Sequence, residues 1–211
     1  MLLTAYKPPV LCQNDGAGGL PMSVFDVAQF FVSHSASGSL SAPKLQKLCF
    51  YAFGWYGYQT GEALFDDAFY AMVNGPVVSD LLTASACSAT VDQKLLKEVH
   101  AAWEEETKEF DLYTSDILKA VWDRYGDMTP EELTRATQQE EPWIEAWQSR
   151  PHGAKRAALS TFEIIDYFVT KKSPDFALPD RKIIYDPFPF EETPTPASFF
   201  EKLRDLGCLS I

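Results

Sequence analysis

Several features that would have given this chain an easy reading are missing. Nowhere do about eighteen apolar residues run without a charge, and the N-terminus has no basic region leading into a long apolar stretch. Neither a membrane-spanning helix nor an export signal is therefore expected. Four cysteines, Cys12, Cys49, Cys87 and Cys208, lie far apart and form neither a CxxC pair nor a cluster with histidine. That excludes a zinc ribbon and a disulfide framework, and it fits a reducing cytoplasm. Histidine is confined to His34, His100 and His152, each isolated and expected at the surface or in a loop rather than as a catalytic base. There is no Gly-rich phosphate loop, GxSxG elbow or HExxH pair. Adjacent carboxylates such as Glu131-Glu132 point about 100° apart on a helix, so they do not make a two-carboxylate site. No catalytic, cofactor-binding or metal-binding residue is assigned, and no enzyme is expected.

Positive charge is scarce too: 18 Lys and Arg stand against 30 Asp and Glu, for a net charge of −12. Between Glu98 and Trp147 fourteen acidic residues face four basic ones, which places −10 of the −12 in that stretch. Such a surface repels phosphate, so direct nucleic-acid binding is not expected, and a protein partner with a basic surface is favoured. A solvated face that serves solubility is the plainer alternative.

What the chain does contain is helical pattern rich in aromatics. At 211 residues and 46% hydrophobic it is sized for one buried core with tails. Ser41 as N-cap, Pro43 in the first turn and the stop at Thr60-Gly61 predict a helix over about 41–59. Only its first turn, with Lys44, Gln46 and Lys47, is polar, so this helix must be enclosed by others. Gly54 and Gly57 on one side point to a close approach by another element.

Helices are also predicted from Ser23 to Ser35, opening on a Ser23–Asp26 capping box; over Val77–Ala84; from Asp92 to about Phe110; over Thr114–Tyr125; and from Thr129-Pro130-Glu131-Glu132. Others carry Trp143, Ile144 and Trp147 after Pro142, and follow Ser160 with Phe162, Ile165, Phe168 and Val169 facing inward. The five tryptophans sit within apolar helical patterns and are expected mostly in the core. Phe69–Val73 is short and bounded by turns, and Gly75-Pro76-Val77 is read as a structural turn rather than a ligand loop. The expectation is thus a mainly α, compact multi-helix domain around a buried central helix, with room for a short β hairpin near 64–74.

Three regions follow: a mobile N-terminal extension (1–22), the helical domain (23–172), and a proline-rich tail (173–211). Six prolines between Pro174 and Pro196 exclude a helix there. Beyond them Phe199, Phe200, Leu203 and Leu206 make a short amphipathic helix that either docks on its own domain or enters a partner's groove.

Four motifs in fixed order carry a resemblance: Leu45-Gln46-Lys47-Leu48-Cys49-Phe50-Tyr51; Gly54-Trp55-Tyr56; Gly61-Glu62-Ala63-Leu64-Phe65-Asp66; and Asn74-Gly75-Pro76-Val77-Val78. With Glu141-Pro142-Trp143 downstream, the stretch from about Ser23 to Lys172 resembles the Panacea domain of SocA-like antitoxins and phage-associated GepA-like proteins. Cys49 and Asn74 depart from the family's usual residues.

The resemblance implies an antitoxin that neutralises, by direct binding, a cognate toxin encoded beside it, often in a phage or prophage setting. It equally allows a proteolytic adaptor that delivers the toxin to a AAA+ protease, and an enzyme with an unrecognised site is the remaining alternative. The matching residues Leu45, Gln46, Lys47, Leu48, Tyr51, Gly54, Trp55, Tyr56, Phe65, Gly75, Pro76, Val77, Pro142 and Trp143 are expected to be structural. The candidate toxin-contacting residues are Glu104, Glu105, Glu106 and Glu109 on the acidic overhang, with Phe199, Phe200, Leu203 and Leu206 in the tail.

Overall fold

The computed structural model describes residues 22–86, 88–102 and 109–181. The expected extension before Met22, the glutamates at 104–106 and the tail helix at 199–206 lie outside the described residues.

The elements run α1 (Val24–His34), β1 (Ser39–Ser41), α2 (Ala42–Thr60), β2 (Phe69–Met72), β3 (Gly75–Val78) and α3 (Ser79–Ala84). They continue with β4 (Thr90–Asp92), α4 (Gln93–Ala102), α5 (Leu112–Tyr125), α6 (Pro130–Thr137), α7 (Glu141–Ser149), β5 (Arg156–Leu159) and α8 (Thr161–Lys171). The fold is mainly helical, with a small antiparallel sheet ordered β3-β2-β5 and a two-stranded β1-β4 ribbon.

Local chemistry sets the boundaries. The Ser23 hydroxyl accepts from Phe25 N–H while the Asp26 carboxylate accepts from Ser23 N–H, which closes the box that opens α1. Thr129 and Glu132 do the same for α6, with Pro130 at its first position. Asp111 caps α5 two residues earlier than the sequence pattern places it. Gly61 ends α2 in the left-handed conformation at φ 74°, as a C-cap glycine does.

Thirteen of the nineteen residues of α2 are buried, which only enclosure on all sides allows. α1, α5, α6, α8 and β3 surround it. The two helix glycines admit α8: a Cβ on Gly54 would collide with the Phe168 ring, and one on Gly57 would sit 2.8 Å from Ile165 Cγ1. Phe50 and Phe53 meet Phe69 of the sheet, and Trp55 meets Phe168 edge-on.

Four expectations need correction. The β content is larger than one short pair, because β3 takes Gly75–Val78, where Val77 and Val78 pair with Tyr70 and Phe69 instead of opening a helix. β5 then adds a third strand. Phe162 faces solvent, 75% exposed, because the buried stripe of α8 runs through Ile164 and Phe168. His100 is buried, with Nε2 3.6 Å from the Asp26 carboxylate and its ring edge-on to Phe25.

Candidate functional site

The residues of the resemblance converge where the first turns of α2 meet the outer edge of β3. In the hairpin, Met72 pairs with Gly75 and Ala71 with Pro76, so Val73-Asn74 forms a two-residue turn. Gly75 adopts φ 96°, open to glycine and strained for other residues. A Cβ there would also press within 2.8 Å of Thr137 Oγ1.

Among the described residues the outer edge of β3 has no neighbouring strand, and α2 supplies the missing hydrogen bonds. Gln46 Oε1 accepts from Val78 N–H at 2.7 Å, and Gln46 Nε2 donates to Val78 C=O at 3.4 Å. Lys47 Nζ donates to Pro76 C=O at 2.8 Å. One amide and one amine thus stand in for a strand, satisfying buried main-chain groups that would each cost about 1–3 kcal/mol if left bare. Trp143 Nε1 donates to Met72 C=O at 3.1 Å, and Gln138 Nε2 to Val73 C=O at 2.8 Å, which ties the hairpin tip to α6 and α7.

Lys47 is 2% exposed and forms no ion pair with a described residue. Burial alone drives its pKa down to about 7, because a charged amine in that setting has lost its water. Such an amine has the protonation behaviour of a catalytic base. Its enclosure argues otherwise: the surface hollows lined by Gln93, Lys97 and Ala101, and by Asp116, Arg124 and Pro179, do not reach it. The arrangement seals a sheet edge.

A second polar cluster lies along the same helix. The Glu140 carboxylate, 5% exposed, accepts from Tyr51 Oη at 3.2 Å and from Tyr167 Oη at 2.8 Å, and Lys172 Nζ lies 3.1 Å away. Burial first, then the Glu140 charge, raises the Tyr51 pKa, so its hydroxyl remains a donor. Tyr51 stacks on Tyr125 at 4.1 Å, and Trp55 Nε1 donates to Tyr125 Oη at 3.1 Å. Burial pushes the Tyr125 pKa up to about 12.

The chain after α8 closes over this region. Phe176 meets Trp55 and Tyr125 edge-on, Gln59 Nε2 donates to Pro179 C=O at 2.7 Å, and Tyr113 Oη donates to Asp180 C=O at 3.0 Å. Arg124 grips Asp175 through Nε at 3.2 Å and Nη2 at 2.8 Å.

Of the motif residues, Leu45, Gln46, Lys47, Leu48, Tyr51, Gly54, Trp55, Phe65, Gly75, Pro76, Val77, Pro142 and Trp143 are buried, and Tyr56 is half-buried. Among the candidate contact residues, Glu109 is exposed; the others lie outside the described residues. Asp116, Asp123, Asp127 and Glu131 extend the exposed acidic surface over α5 and the start of α6. Sequence reasoning missed Glu140 and the docked segment from Lys172 to Arg181. The Glu-Pro-Trp junction that starts α7 was the available signal for Glu140.

Among the described residues no group of three His, Cys, Asp or Glu is placed to hold a metal ion, and no helix is long and apolar enough to cross a membrane. No curated protein and no solved structure matches the chain. Residues 45–144, from the start of the sealing sequence in α2 to just past the tryptophan that holds the hairpin tip, match the family model described as antitoxin SocA-like, Panacea domain.

Proposed function

We propose that the chain is an antitoxin that neutralises a cognate protein toxin by direct binding, through surface outside the family's signature residues. The observation that carries this reading is the family match over 45–144 together with the burial of its motifs. Gln46, Lys47, Gly75, Pro76 and Trp143 are consumed in holding the hairpin to α2 and α7, so a partner has to be read by what lies outside them. The exposed carboxylates Glu109, Asp116, Asp123 and Asp127 offer one such surface. A toxin that acts on RNA or nucleotides carries a cationic surface for its phosphate-bearing substrate, and an acidic face occupying it excludes the substrate by competition.

The test is co-expression with the protein encoded by the adjacent gene, in cells with and without each AAA+ protease, followed by purification of the complex. A stable complex near equal stoichiometry and protection without any protease support direct neutralisation. Protection that vanishes with a protease shows an adaptor instead, and protection far below one molecule per toxin shows an enzyme.

A further inference from the structure

The sheet has two unlike edges. On β3 the outward groups are Pro76 C=O and both main-chain groups of Val78, and α2 seals all three. Their direction fixes the phase of the whole sheet. Antiparallel pairs alternate between hydrogen-bonded and non-bonded. Pro76, with no N–H, falls at a non-bonded pair opposite Ala71, and Val78 at another opposite Phe69. The bond from Ser79 N–H to Ala68 C=O, 2.9 Å, agrees with that phase. Tyr70 and Met72 therefore turn their main chain towards β3, and Phe69 and Ala71 turn theirs towards β5. With Phe69 opposite Leu159 and Ala71 opposite Ala157, the groups of Arg156 and Ala158 point away from the sheet. Both residues are exposed, and no described residue outside the ladder bonds to their main chain.

Charge is distributed unevenly at this edge. From Ala146 to Phe162 there is no Asp or Glu, whereas Arg150, Lys155 and Arg156 are present, in a chain of net charge −12. The Arg156 guanidinium rests 4.7 Å above the Tyr70 ring, and that of Arg150 rests 3.6 Å above the Trp147 ring. Both are thus held beside the strand. Cations on a short edge strand deter pairing with a like-charged copy of the same strand. For an acidic strand the same cations are attractive, and open main-chain groups supply the pairing.

We propose that β5 is a docking edge for an extended acidic segment of a partner protein, which adds to the sheet as a fourth strand. Its main chain bonds Arg156 and Ala158, and its carboxylates meet Lys155 and Arg156. This edge is separate from the acidic face of α5, and the inference does not depend on the antitoxin reading.

The probe is a synthetic peptide, Asp-Val-Glu-Val-Glu-Val-Asp, with a counterpart carrying Lys at each acidic position and a third form N-methylated at alternate amides. Amide chemical shifts and hydrogen exchange are followed on the full chain. The acidic peptide should slow exchange at Arg156 and Ala158, with Ala157 and Leu159 already protected by β2. The other two peptides should not. K155A/R156A should weaken binding about tenfold or more. A158P should abolish it while leaving the ladder intact, because that N–H faces away from β2; if A158P fails to fold, the double alanine variant still decides. Equal binding of the acidic and Lys peptides, indifference to N-methylation, protection at residues away from β5, or a dimer of the chain paired through β5 would each overturn the proposal.

Discussion

Replacing Lys47 with methionine tests the sealed edge through the pH dependence of stability. Methionine keeps most of the side-chain volume and removes the amine. Two consequences separate cleanly. Pro76 C=O loses its donor, which costs about 1–3 kcal/mol at every pH. The pH-dependent part comes from the ammonium itself. Its pKa is about 7 folded and 10.5 in the ordinary exposed state. Below pH 7 both states are protonated, and burying the charge costs the full difference, about 4–5 kcal/mol at 1.36 kcal/mol per unit. Between pH 7 and 10.5 the unfolded chain binds the extra proton, so stability rises with pH and the cost disappears by the upper end. From pH 6 to pH 9 this one group adds about 2–3 kcal/mol of stability to the parent and nothing to K47M. Denaturant melts of both proteins at those two pH values give the answer as a double difference, from which every contribution common to parent and variant cancels. Stability curves of parent and variant that stay parallel across this range would show that Lys47 is charged and compensated when folded, and the physical account of the edge would fail.

Other perturbations have definite expectations. Gly54→Ala should destabilise by about 1–3 kcal/mol in a thermal melt, since overlap with Phe168 outweighs the helix propensity gained, whereas a higher melting temperature would contradict the close approach of α8. Trp55→Ala should cost about 3–5 kcal/mol, because the side chain is 1% exposed and bonded to Tyr125; a variant that melts like the parent but loses partner binding would make Trp55 a recognition residue. Ending the chain at Lys172 should lower stability by about 2–4 kcal/mol relative to ending it at Arg181, because Phe176 leaves Trp55 and Tyr125 and Gln59 loses Pro179; equal melting would mean that the segment adds nothing to the fold. Replacing Glu104, Glu105, Glu106 and Glu109 with glutamine should slow association with the toxin and flatten its salt dependence while dissociation changes little, and a parental rate insensitive to salt would assign the acidic face to solubility.

The elements that local chemistry specifies were legible in the sequence. The boxes Ser23–Asp26 and Thr129–Glu132, the stop at Gly61 and the apolar surround of α2 each rest on residues within a few positions of one another, and the structure reproduces them. The two helix glycines foretold a close neighbour without saying which, because the Phe168 ring that fills the space comes from far along the chain. Gln46 and Lys47 misled for a related reason. By periodicity they are a polar first turn, and they become buried only because β3, thirty residues on, arrives with unpaired main-chain groups that need polar partners. β5 carried no strand pattern, since Arg-Ala-Ala-Leu neither alternates cleanly nor contains a β-branched residue, and its conformation follows from pairing with Phe69–Met72. His100 read as an isolated polar residue on α4, and only its packing against Phe25 and Asp26 of α1 encloses it.

The way the sheet edges are treated bears on how such a domain accommodates a partner. A polar latch that satisfies β3 from within α2 makes the motif a condition for folding, and it removes those side chains from any role at the surface. Gly75 cannot change without strain, Lys47 cannot leave without baring Pro76, and Trp143 cannot shorten without releasing Met72 C=O. Exposed positions of α5 outside the Arg124–Asp175 pair carry no such obligation. Asp116 and Asp123 face solvent while Ile117, Leu118 and Val121 of the same helix are buried. Replacing an exposed residue away from a cap or buried network typically costs less than about 0.5 kcal/mol, so the outer face of α5 is free to change with a partner while the latch is not. The same reasoning separates the two edges of the sheet: on β3 the hydrogen bonds are already made, and on β5 no described residue pairs with the outward main chain of Arg156 and Ala158.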